Sequence, residues 1–150
     1  MFESALTILI TASSVLLFGY WFRYTCLLIL SAKTAKDYAL DVATANQLSF
    51  LTVQSQLREG ALGDLNTLHN SLDRDFAMIT YLIGHAGGAQ GEFRVEDRML
   101  QLNYKLMGTW YEISHRFSAE AGRSALNEMS MVIAHFANAM GERAACGAAA

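Results

Sequence analysis

The chain is 150 residues long, enough for one domain and not comfortably for two. Hydrophobic residues make up 53% and charged residues only 17%, proline is absent, and the net charge is −3. The lack of proline favours long helices with short connections, and the lack of a basic stripe argues against a nucleic-acid partner.

Charge is scarcest at the N-terminus, where the first 32 residues hold only Glu3 and Arg23. Ala5 to Phe22 form an uninterrupted uncharged run. As a helix, residues 2–22 would extend about 31 Å, the thickness of a hydrocarbon core. Tyr20, Trp21, Arg23 and Tyr24 follow, aromatic rings with polar tips and a snorkelling arginine of the kind a membrane interface selects. The apolar run then resumes to Leu30, so a deeper span near 8–31 is the alternative. The first placement is preferred, because an arginine near mid-membrane costs about 2.5–3.5 kcal/mol on insertion scales. The N-terminal flank is acidic and bulky residues follow the apolar run, which does not fit a cleaved signal, and the segment reads as a permanent anchor.

Arg23, Lys33 and Lys36 lie on the C-terminal side of the segment and no basic side chain lies before it. The positive-inside rule then predicts an inner (cytoplasmic) membrane protein, N-terminus out, with its helical domain cytoplasmic. Within the segment, Ser4, Thr7, Thr11 and Ser14 recur at spacings of 3, 4 and 3, with Ala12 and Gly19 alongside. Small and hydroxylated residues on one stripe let helices approach closely in lipid. The competing reading is that these hydroxyls bond back to their own helix.

Residues 33–59 read as a weakly amphipathic helix continuous with the anchor, carrying Leu40, Leu48, Leu51 and Leu57. A turn at 59–64 follows, with Asp64 placed to cap the next helix. That helix bears Leu65, Leu68, Leu72, Phe76, Ile79 and Ile83 at helical spacing. A glycine-rich stretch, 84–91, reads as the longest loop. Beyond it Glu92, Glu96 and Asp97 suit a helix start, and Val95, Met99, Leu102, Leu106, Trp110, Ile113 and Phe117 form the next stripe. After a break near 118–122 come Leu126, Met129, Ile133, Phe136 and Met140.

The expected fold is therefore all-α, one N-terminal transmembrane helix (1–32) continuing into an antiparallel bundle (33–143), with a flexible tail at 144–150. Met78, Tyr81 and Leu82 flank one stripe, and Leu100, Tyr104, Met107 and Tyr111 the next. This excess is either additional core or a docking surface.

Chemistry-bearing patterns are sparse. Cys26 and Cys146 lie 120 positions apart, which suits neither a disulfide framework nor a zinc site, and they read as reduced thiols. Glu112-x-x-His115 has the spacing used by di-iron bundles, but those need a second copy. Asn66 precedes His69 by three and Val132 precedes His135, so no copy exists, and neither a metal nor another cofactor is expected. Gly87-Gly88-x-x-Gly91 lacks the strand before it and the Lys-Ser/Thr pair after it that a phosphate loop requires. Asp73-Arg74-Asp75 and the charges at 94–98 read as solvated faces. The functional expectation is a non-catalytic, membrane-anchored interaction protein, an accessory or assembly subunit of a membrane complex or a self-assembling scaffold. Its partners would be the bilayer and other membrane subunits or itself. The alternative is a cofactor- or metal-binding bundle for electron transfer or sensing, resting on Glu112, His115 and Trp110-Tyr111.

Overall fold

The computed structural model describes all residues except 33, 35, 61–62, 86–92 and 150. The described residues form six α-helices and no strand. The chain divides into two units, Met1–Ala32 and Lys33–Ala150. Lys33, the glycines at 87, 88 and 91, and Glu92 lie outside the described residues.

The first unit is one helix, α1 (Phe2–Ser31), long and apolar enough to cross a membrane by length and composition. It ends where Ala32 turns to an extended conformation (φ −63°, ψ 126°).

The expected single helix over 33–59 is instead two short ones, α2 (Ala39–Ala45) and α3 (Phe50–Arg58). The break has a local cause. Polar side chains there offer the backbone other partners than a helical ladder. Asp37 Oδ1 accepts the Ala39 amide at 3.0 Å, and Asn46 Nδ2 donates to the Val42 carbonyl at 2.9 Å. Gln47 then takes a left-handed conformation (φ 54°), which a helix cannot continue through. At the start of α3 the Ser49 amide donates to Asp75 Oδ2 at 2.6 Å, and its hydroxyl reaches the same oxygen at 3.0 Å.

Helix α4 (Leu65–His85) begins as expected, with Asp64 accepting the Asn66 amide and the Thr67 hydroxyl. It buries Leu68, Leu72, Ile79 and Ile83. Helix α5 (Val95–Ser114) opens where the Asp97 carboxylate, in its first turn, accepts the Arg94 amide at 3.1 Å. Helix α6 (Ala119–Ala149) starts where Ser118 Oγ accepts the Ala121 amide at 3.2 Å. It runs on through 144–149, most of the stretch expected to be a flexible tail, because alanine is the strongest helix former and four of residues 144–149 are alanine.

Helix α6 is the centre of the second unit. Its buried residues, among them Ala125, Leu126, Met129, Val132, Ile133, Phe136 and Ala137, lie on about half of its circumference, none of residues 128–141 is fully exposed, and α2, α3, α4 and α5 all pack on it. Helix α5 runs antiparallel to α6. Near its start, buried Asp97 pairs with Arg143 at 3.3 Å. At mid-length, Asn103 Nδ2 donates to Glu128 Oε1 at 2.8 Å. On the far side of α6, the Tyr38 amide donates to Asn138 Oδ1 at 2.7 Å, and Tyr38 lies so close to Gly141 that a Cβ there would overlap its ring base.

Candidate functional site

Three features bear on function: the α1 stripe, a groove between α4 and α5, and the outer face of α5.

On α1 the hydroxyls of Thr7, Thr11 and Ser14 donate to the carbonyls of Glu3, Thr7 and Ile10, each at 2.8 Å. Ser13 and Thr25 do the same with Leu9 and Trp21. The hydroxyls are thus satisfied within the helix. Any helix packed on this stripe, which includes Ser4 and Ala12, would gain from close backbone approach more than from new hydrogen bonds. Around Gly19 the space is open. One turn on, Tyr20 and Tyr24 stack at 6.3 Å between ring centroids, and Phe18 meets Trp21 at 6.1 Å. Arg23 lies on the same helix.

The groove of roughly 430 Å³ is lined by His69, Asp73, Phe76, Tyr104, Lys105 and Glu112, among others. Two phenols cross from α5 to α4. Tyr104 Oη donates to Asp73 Oδ1 and Tyr111 Oη donates to Asn66 Oδ1, each at 2.9 Å. Rings stack beside them: Phe76 on Tyr104 at 3.8 Å, and His69 and His115 on Tyr111 at 4.7 and 4.6 Å. Burial, and then the Asp73 carboxylate, push the Tyr104 phenol above the ordinary tyrosine range. Burial and then Asp64 push Tyr111 the same way. Both phenols stay protonated and serve as donors, so they cannot act as bases near neutral pH.

Glu112 lines this groove, whereas His115 Nδ1 donates to the Tyr111 carbonyl at 2.7 Å. Among the described residues, no three His, Cys, Asp or Glu side chains gather where a metal ion could be held. His69 Nδ1 stands 3.6 Å from Asp73, and its buried Nε2 makes no hydrogen bond.

The outer face of α5 departs most from expectation. The stripe read as its core side points outward: Val95, Leu102, Leu106, Trp110 and Ile113, with Phe117 in the turn just past the helix, are between 46% and 86% exposed, and Met99 is half-buried. The residues thought to flank it, Leu100, Tyr104, Met107 and Tyr111, are the ones buried. Both arcs are apolar, so periodicity gives the helix but not which arc faces in. The two acidic clusters are corrected as well. Asp75 is 1% exposed and caps α3, and Asp97 is buried against Arg143, so neither belongs to a solvated face. Asp73 fits its solvated reading only in part, since it also receives the Tyr104 hydroxyl.

No protein-family model, curated protein or solved structure matches this chain.

Proposed function

We propose that this chain is a membrane-anchored helical interaction protein, an accessory or assembly subunit of a larger membrane complex or a self-assembling scaffold. The observation that carries this reading is the outer face of α5. A bundle that has already filled its core leaves five large apolar side chains in the open along one helix and a sixth, Phe117, in the turn that follows it, and contiguous surfaces of that kind mark interaction sites. The anchor reading of α1 is supported by its length, composition and interfacial aromatic residues. In this reading α1 spans an inner membrane with its N-terminus outside and the bundle in the cytoplasm. It meets a neighbouring helix through Ser4, Thr7, Thr11, Ala12, Ser14 and Gly19.

The test is the mass of the gently solubilised complex. Ala12→Ile and Gly19→Ile add bulk where backbones would approach, and each is expected to reduce assembly. Leu16→Ile and Leu17→Ile should matter less. Assembly of the first pair at parental mass would remove α1 from the interface. A reporter fused after residue 150, active only in the cytoplasm, checks the orientation.

The cofactor-binding alternative has one observation in its favour, the ring stack of His69, Tyr111 and His115 beside the α4–α5 groove. A visible absorption spectrum and metal analysis of the purified protein separate the two readings.

A further inference from the structure

We infer that the outer face of α5 seats at the headgroup level of an anionic bilayer. The inference deepens the reading above by naming what this face meets, and it rests on α1 being a bilayer anchor. On a 3.6-residue helix, Leu102, Ile113, Leu106 and Trp110 fall within an arc of about 80°. Val95 lies in the same arc, and Phe117 follows in the turn after the helix. Directly beside this arc, Arg98 and Lys105 fall within an arc of about 20°, and Arg116 follows in the turn after the helix. All three are exposed, and Glu112 is the acid on the groove side of this ridge. The remaining arc is the one buried against the bundle.

An exposed apolar seam holding Trp, Phe, Leu and Ile, edged along its length by cations, is the pattern of a helix lying in a membrane interface. The apolar side chains enter the boundary between headgroups and acyl chains, and the cations meet lipid phosphates. Charge also argues against a second copy as the occupant. An antiparallel pair of copies would set the cationic ridge against its own counterpart. A parallel pair would set it against a flank where, of the described α5 residues, Glu96 is the exposed acid. An anionic lipid surface instead matches the whole ridge.

Trp110 lies within the seam and makes a direct probe. The chain has two tryptophans, so Trp21→Phe leaves Trp110 as the sole indole. This full-length protein is reconstituted into phosphatidylcholine vesicles with or without phosphatidylglycerol, some carrying lipids brominated near the headgroup end of the acyl chain. The expected result is strong quenching of Trp110 in phosphatidylglycerol vesicles and little in phosphatidylcholine alone, weakened by added salt. The triple variant Arg98→Gln, Lys105→Gln, Arg116→Gln should lose most of the quenching while its circular dichroism is unchanged. Should that variant not fold, the salt dependence of the parent protein decides. Equal quenching whatever the lipid charge, or none in anionic vesicles, overturns the inference. Absence of quenching with a doubled solution mass would assign the face to a second copy, and also overturns it. Flotation with the vesicles is scored separately. Protein that floats without quenching keeps the anchor and loses this inference, whereas protein that fails to float after a carbonate wash loses both.

Discussion

Gly141 sits where α6 passes Tyr38, and there is no room for one more carbon. A Cβ at that position would overlap Cβ and Cγ of Tyr38, and backbone on both sides leaves little to shift. Gly141→Ala is expected to destabilise the bundle by about 1–3 kcal/mol in urea unfolding. Gly147, on the same helix with open space around it, supplies the contrast: Gly147→Ala should be neutral to slightly stabilising, within about 1 kcal/mol. His135 gives a pH dependence. Burial holds its imidazole below the ordinary histidine value, opposed in part by Asp97, Glu142 and Glu96. As pH falls through about 6.5, the unfolded chain takes up a proton that the folded chain resists. Stability contributed by neutral His135 is therefore full above that value and declines below it, until the folded imidazole itself protonates. The His135→Gln variant should show a shallower loss of urea midpoint between about pH 7 and pH 5; an unchanged slope would assign the loss to other groups. At this scale the sequence was only partly readable. The cap at Asp64 follows from residue type and position. Asp75 and Asp97 look like their solvated neighbours until Ser49 and Arg143, distant in sequence, arrive beside them.

The helices themselves show what periodicity can and cannot say. In α4 and α6 one arc is clearly more apolar than the rest, and that arc is buried. In α5 two arcs compete. The inner one contains Tyr104 and Tyr111, whose hydroxyls require partners that only α4 supplies, in Asp73 and Asn66. The outer one contains the cleaner aliphatic spacing, which is why it reads as core. Substitution distinguishes the arcs. Leu106→Asn should change stability by no more than about 0.5 kcal/mol, whereas Leu100→Ala, at a fully buried site, should cost about 2–5 kcal/mol. The same pair of urea titrations checks both values, and a large loss at Leu106 would mean that this face is covered within the protein. The break between α2 and α3 was not legible either, because it depends on a left-handed Gln47, a conformation that residue type alone does not announce.

For the molecule as a whole, the all-helical class and the long apolar first helix follow directly from composition, the absence of proline and the run at 5–22. The arrangement around α6 does not, since three comparable stripes carry no label saying which lies in the middle. Its consequence for stability is direct. Because α2, α3, α4 and α5 all pack on α6, a chain ending at Ser118 should show no cooperative unfolding transition by circular dichroism, while retaining α1 in the membrane fraction. Retention of a sharp transition would mean that α3, α4 and α5 form a core of their own.

The central helix is also the last of the six to be synthesised. Until Leu126, Met129, Ile133 and Phe136 have left the ribosome, the four preceding bundle helices lack the one that all of them pack on. The growing chain thus passes through an interval in which four bundle helices exist without their centre, a condition in which exposed apolar surface is prone to wrong partners. A first helix already held in a bilayer would confine that interval to one surface and keep each unfinished chain apart from the others.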